Sequence, residues 1–233
     1  MMRKRRQSLR TKRKQPKIKV ENIETWGFEH AIRGMRNPLN SWARSDSSFE
    51  DYVPDYAMDT ARTYPCVKIG ENDLKLMRQL YVGGQPHRKY LRQIFAVMDI
   101  TAPLYWWKEF DTYKVGTTAN SCSTMHKIAA KEFTLSDFST EHLVGKSVAA
   151  LQNVLDVMNL EREHYLAAKD KDCWWQMIQL LPSSYNQRRT VSMTYENVMN
   201  MLDYREGHKL DEWREFCKIL KQLPYVEVIR DGR

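Results

Sequence analysis

The first nineteen residues hold ten cations (Arg3, Lys4, Arg5, Arg6, Arg10, Lys12, Arg13, Lys14, Lys17 and Lys19) and not one acid. Such a block repels itself and cannot be buried, so the folded body must come from residues 20–233. The whole chain has 37 basic and 29 acidic residues, a net charge of +8; without the ten there are 27 basic against 29 acidic, a body near −2. The basic character therefore belongs to the arm, residues 1–19, which reads as a disordered, solvated extension. Its functional alternative is loose, salt-sensitive attraction to the phosphates of a nucleic acid. The arm holds no aromatic residue on which a base could stack.

The body reads as a single domain. Apolar residues make up 42% of the chain and aromatics 11%, with seven Trp and twelve Tyr to fill a core. No run of about 18 apolar residues is present, so no membrane span is expected. The charged start lacks an apolar segment behind it, so no secretory signal is read. Cys66, Cys122, Cys173 and Cys217 are far apart in sequence and form neither a disulfide framework nor a CxxC pair, which suits a reduced, cytoplasmic protein. The six His include no HExxH and no close pair, so no metal site is assigned. A phosphate-binding P-loop, a GxGxxG turn and a GxSxG elbow are all missing, and the body shows no nucleic-acid-binding motif.

Residues 20–64 are turn-rich (Gly27, Gly34, Asn37-Pro38, Ser45 to Ser48, Val53-Pro54) and read as an irregular cover packed on the body by its aromatics. Asn72 or Asp73 is placed to cap a helix that ends at Gly83-Gly84. Residues 87–93 read as helical, 94–100 as a strand, and Thr101-Ala102-Pro103 as the start of a short helix carrying LYWWKEF. Residues 113–125 are small and hydroxylated, which favours a loop and a polar ligand. A long helical pattern follows from about Thr140 to Lys169, then a second helix before Pro182. A strand over 188–195, a helix over 196–205 and a last helix over 211–223 complete the series. Without alternating βαβ units a doubly wound sheet is disfavoured, and a helix-rich α+β fold is expected.

Two blocks then carry a resemblance. The stretch from Leu181-Pro182 through Asn197, Leu202 and Arg205 resembles the C-terminal half of the flavin-dependent thymidylate synthases. Ala102-Pro103-Leu104-Tyr105 followed by YKVGTTANSCSTMH is similar to that family's short helix and its signature RHRxxSxNExSxRY. Thr118, Asn120 and Ser123 match the signature in kind or identity. The basic triplet is replaced by Tyr113-Lys114-Val115, the Glu by Ser121 and the Arg-Tyr by Met125-His126. His87 lies near a histidine-containing helix end of the family.

The resemblance implies a thymidylate synthase-complementing-protein-like fold with a central antiparallel sheet, acting as a homotetramer. It implies methylation of dUMP to dTMP with reduced FAD, with NADPH and methylenetetrahydrofolate as cosubstrates. No catalytic protein nucleophile is needed, because the flavin relays the methylene. By the same resemblance Arg205 would hold the dUMP phosphate or base, its alternative being an ion pair with Asp203 or Glu206. Ser123 and Asn120 would bond nucleotide or flavin, or else only their own backbone. Asn197 would face flavin or folate, its alternative being a solvated helix amide. Lys114, Thr118 and His87 complete the cofactor side, and Arg92, Arg188 or Arg189 are available to compensate for the missing triplet. Trp106 and Trp107 either pack in the core or shelter an isoalloxazine ring; Trp174 and Trp175 are assigned to the core. Activity on another pyrimidine nucleotide, loss of methyl transfer, and a nucleic-acid-binding oligomer working through its arm are the competing functions.

Overall fold

Side-chain alternation along residues 95–103 decides the architecture. Ala96, Met98, Ile100 and Ala102 are fully buried, while Phe95, Val97, Asp99 and Thr101 between them are only half-buried. A strand of that pattern carries a core on one face and solvent on the other. A computed structural model describes residues 18–50 and 66–231. The expected arm up to Lys17, and residues 51–65 of the expected cover, lie outside the described residues. The chain gathers into two compact units: residues 18–122 with 187–231, and residues 123–186. Each has its own apolar core.

The larger unit is built on a four-stranded sheet in the order β1 (Lys19–Trp26), β4 (Phe95–Pro103), β6 (Asn186–Thr194), β5 (Thr117–Ser121). β1 pairs antiparallel with β4, from Lys19 opposite Thr101 to Trp26 opposite Phe95, with one bulge between Glu21 and Glu24. β5 pairs antiparallel with β6, from Thr117 opposite Met193 to Ser121 opposite Arg189. The Tyr195 N–H donates to the Ile94 carbonyl, and the Thr190 hydroxyl donates to Asp99, so β4 and β6 also run in opposite senses. Helices α1 (Phe28–Arg36), α2 (Glu71–Val82), α3 (Leu104–Phe110), α6 (Tyr195–Arg205), α7 (Asp211–Lys221) and α8 (Val226–Arg230) supply the rest of this unit. A two-stranded ladder of β2 (Ser48–Glu50) and β3 (Cys66–Lys68) stands apart from the main sheet. The result is an α+β fold, rich in helix, around an antiparallel sheet.

Its core is aromatic. Trp106, Trp107, Phe110, Trp213 and Phe216 are buried together, with ring centroids 4.9–6.4 Å apart in stacked, tilted and edge-on pairs. The Trp107 indole donates to the Gln187 carbonyl at 3.0 Å. Trp106 and Trp107 are thus core residues. One buried ion pair supports the same unit: Arg36 Nε donates to Asp73 at 2.6 Å, and Asp73 also accepts from the hydroxyls of Ser45 and Ser47 and the N–H of Asp46. Burial raises the Asp73 pKa, but the Ser47, Ser45 and Arg36 donors outweigh it and hold the carboxyl below its ordinary range.

The smaller unit is a helical hairpin with a folded approach segment. α4 (Lys146–Ala168) turns into α5 (Lys171–Leu180) through Lys169, in the left-handed region at φ +56°, and Asp170. The Lys169 N–H bonds the Tyr165 carbonyl and the Asp170 carboxylate caps α5 by accepting from the Asp172 N–H. Leu151, Leu155 and Met158 of α4 pack with Met177 of α5 and with Phe133 and Phe138. Both amide atoms of Asn159 clamp the Phe133 backbone, at 2.8 and 2.9 Å.

Four expectations need correction. The stretch read as an irregular cover contains β1 and α1, because its first residues find a partner in β4 that no local signal announces. The hydroxyl-rich segment read as a loop is β5, an edge strand, where one exposed side tolerates Thr, Asn and Ser. Neither Asn72 nor Asp73 caps α2: the Asp46 carboxylate accepts from both of their N–H groups instead, at 2.9 and 3.2 Å, while Asp73 is committed to Arg36. Trp175, assigned to the core, is 41% exposed on α5, although its neighbour Trp174 packs and donates to the Met125 carbonyl. None of the helices among the described residues is long and apolar enough to cross a membrane.

Candidate functional site

Three segments of the larger unit converge on a cleft of about 480 Å3. The connection from α3 to β5 gives Tyr113, Lys114 and Gly116; the start of α6 gives Glu196, Asn197 and Asn200; Gln85 and Arg92 close the remaining side. Spacing on α6 explains the middle group, since residues three and four apart share a helix face.

The junction is held by a capping box. The Thr194 hydroxyl accepts from the Asn197 N–H and donates to Asn197 Oδ1 at 2.6 Å, and the Thr194 N–H donates to that same oxygen. Asn197 Nδ2 then donates to the Val115 carbonyl at 2.7 Å, tying the α3–β5 connection to α6. Gly116 completes the fit. At φ +81° it accepts from the Thr194 N–H, and a Cβ there would sit 2.6 Å from Asn197 Oδ1. Only glycine meets both demands.

Charge in the cleft is arranged unequally. Arg92 is engaged by Glu196 in a two-bond fork, at 2.6 and 3.0 Å. Lys114 is exposed and has no carboxylate partner among the described residues. Gln85 and Asn200 also line the cleft, and among the described residues their side-chain amides have no hydrogen-bond partner. One free ammonium and two free carboxamides form a donor set suited to a phosphate-bearing, polar ligand.

Behind Tyr113 lies a second group. Arg205, at the end of α6, donates from Nε to the Tyr113 hydroxyl at 3.0 Å and from a terminal nitrogen to Glu109 at 2.9 Å. Its guanidinium lies over the Trp213 ring at 5.2 Å and the Tyr113 ring at 5.6 Å. The ion-pair partner is thus Glu109; Asp203 and Glu206, its sequence neighbours, pair with Arg230. His208 stands beside it. Burial and the Arg205 charge push its pKa down, in keeping with a neutral ring whose Nδ1 accepts from the Leu210 N–H.

Of the residues singled out in the sequence, the cleft brings together Lys114, Asn197 and Arg92. Arg205 reaches it only through Tyr113. Thr118 and Asn120 are exposed on one face of β5, opposite Ser192 and Thr190 of β6. Ser123 belongs to the smaller unit, where its hydroxyl accepts from the N–H groups of Met125 and His126. His87 lines a different depression, of about 330 Å3, with Met35, Pro38, Leu80 and Tyr90. The three arginines considered as substitutes for the missing triplet are all paired: Arg92 with Glu196, Arg188 with Asp99, and Arg189 with Asp111 while covering the Trp107 ring at 4.2 Å. Sequence reading missed Gln85, Glu196 and Asn200, and took Gly116 only as part of a polar-ligand loop. For Asn200 a signal existed, its spacing of three from Asn197; Gln85 carried none.

No family model matches the chain, and no curated protein matches it. Solved structures do. One is a crystal structure of the flavin-dependent thymidylate synthase ThyX from Helicobacter pylori complexed with FAD and dUMP. It is 16% identical, with a TM-score of 0.63 over 91% of this chain and 98% of that one. A second structure of ThyX from Helicobacter pylori with FAD and dUMP is 15% identical, with a TM-score of 0.62 over 92% of this chain and 98% of that one. At this identity the likeness establishes the fold, which is the fold of these synthases.

Proposed function

We propose that this chain is a flavin-dependent thymidylate synthase-like protein that binds FAD and a pyrimidine nucleotide and methylates dUMP to dTMP. The observation that carries the reading is the shared fold, spanning nearly the full length of chains whose structures hold FAD and dUMP. The donor set of the cleft fits such ligands. Lys114 would take a phosphate as a point charge, and Gln85 and Asn200 would bond the polar edge of a base or ribose. Asn197 holds the wall rather than the ligand, because its amide is already committed to Val115 and Thr194. Tyr113 offers an aromatic face at the rim, held in place by Arg205.

FAD, when bound, supplies the electron and one-carbon chemistry, with NADPH and methylenetetrahydrofolate as cosubstrates, so the protein needs no nucleophile of its own. Cys217 accords with this: it is buried in α7, and burial pushes its thiol up to about 11. The homotetramer implied by the family resemblance is supported by apolar side chains left open on the hairpin, where Val157, Leu160, Trp175 and Leu180 are each 36–50% exposed. Replacement of the basic triplet favours a second reading inside the same fold, a protein that binds flavin and nucleotide but acts on another pyrimidine. Release of tritium from C5-tritiated dUMP, assayed with FAD, NADPH and methylenetetrahydrofolate, separates the two. Turnover-dependent release is expected. Flavin binding without release would favour the second reading.

A further inference from the structure

Because α4 passes into α5 through only two residues, the last turns of one helix face the first turn of the other. Glu161 and His164 are three apart on α4 and share a face. Cys173 stands in the first turn of α5. One carboxylate oxygen of Glu161, one imidazole nitrogen of His164 and the Sγ of Cys173 all lie within 4.8 Å of one another. We propose that Glu161, His164 and Cys173 form a binding site for a borderline-soft divalent cation of the zinc class, with its fourth position open to water.

Donor chemistry selects the ion. A thiolate, an imidazole and a carboxylate together are the ligand types of tetrahedral zinc, whereas magnesium and calcium require oxygen alone. Around zinc these donors stand about 3.3–3.6 Å apart, from metal–ligand lengths of about 2.0–2.3 Å. The three atoms therefore need to close by roughly an ångström, which side-chain rotation supplies without moving the hairpin. The Glu161 carboxylate and the Cys173 thiolate balance the charge of a dication, and Asp170 and Asp172 add negative charge nearby. Partial burial and a hydrogen bond to Glu161 raise the Cys173 pKa, so the metal must displace a proton from sulfur. The sulfur gives that proton to solvent as the metal–sulfur bond forms, and nothing is oxidised or reduced. His164 is exposed, so an ion enters from solvent and retains a water. Searches for HExxH or CxxC pass over this arrangement, because the third ligand arrives through the turn rather than through a short sequence motif.

The site lies in the smaller unit and stands whether or not the chain binds flavin. The test titrates the full-length protein, stripped with EDTA and kept reduced, with Co2+. A thiolate-to-cobalt charge-transfer band rising to one equivalent, and displaced by Zn2+, is expected. Cys173→Ser should abolish the band. Glu161→Gln and His164→Ala should each weaken cobalt binding by more than the roughly 10–100-fold that follows loss of an outer-shell partner. Cys122→Ser, which alters an exposed thiol elsewhere, should leave the band unchanged. No band in the parent protein, or a band that persists in Cys173→Ser, would overturn the proposal.

Discussion

Replacing Gly116 with alanine probes the joint that shapes the cleft. The residue lies at φ +81°, where an L side chain costs about 1–2 kcal/mol. The new methyl would sit 2.6 Å from Asn197 Oδ1 and 3.3 Å from Thr194 Oγ1, so Asn197 must move. Asn197 cannot move without loosening the cap on α6, worth about 0.5–2 kcal/mol, and its bond to Val115, worth about 0.5–1.5 kcal/mol. Reduced freedom of the unfolded chain returns about 0.4–1 kcal/mol. The net cost is about 1–5 kcal/mol, centred near 3. Gly84→Ala is the matched control: φ there is +91°, but no heavy atom lies within 4 Å of the added Cβ. It should cost about 1 kcal/mol or less, strain alone offset by chain entropy. Urea unfolding followed by tryptophan fluorescence reads both, as midpoint shifts at constant slope. Equal midpoints for the two variants would refute the claim that crowding against Asn197 adds to backbone strain.

Arg36→Met should destabilise the larger unit by about 3–5 kcal/mol, because it strands the buried Asp73 charge; a calorimetric loss below 1 kcal/mol would contradict this. The folded Asp73 pKa lies below its unfolded value, so its contribution is complete above about pH 4 and fades as pH falls through the folded value. Stability measured against pH in Asp73→Asn should accordingly lose part of its acid limb, and an unaltered limb would count against the assignment. Lys114→Ala should weaken binding of a phosphate-bearing ligand roughly 10–150-fold, for one charge-assisted bond of about 1.5–3 kcal/mol, without changing the melting temperature. Arg205→Ala, by contrast, should lower both dUMP affinity and melting temperature, since Arg205 packs on Trp213 and Tyr113 as well as pairing with Glu109. Removing residues 1–17, which leaves β1 whole, should abolish any salt-sensitive affinity for nucleic acid and leave flavin binding intact; retained affinity would place that function in the body.

Local physics made much of the scaffold legible. The apolar run of β4, the helical spacing of Val154, Leu155 and Met158 in α4 and the Pro182 that stops α5 each act over a few positions, and the corresponding elements lie where the sequence placed them to within a few residues. What escaped was long-range. β5 is polar because it sits at a sheet edge, a fact that depends on β6 some seventy residues later. Asp46 caps α2 across 26 positions, and so frees Asp73 to bind Arg36. The candidate site divides in the same way. Lys114 and Asn197 were visible as members of two matching blocks, and the bond from Asn197 Nδ2 to the Val115 carbonyl brings those blocks together. Gln85 enters the cleft only through the turn ahead of β4. Arg205 sat in a recognised block, yet its partner Glu109 comes from α3, which no spacing along α6 reveals.

The central claim, that this fold still works as a flavin and nucleotide site, is tested most directly by one titration. Purified full-length protein is titrated into FAD and the flavin absorbance is followed, first alone and then with dUMP. A saturable change in the flavin spectrum, altered again by dUMP and weakened in Lys114→Ala, is the predicted result. A spectrum that stays that of free FAD throughout, with and without dUMP, would contradict the account and leave only the fold in common with the synthases.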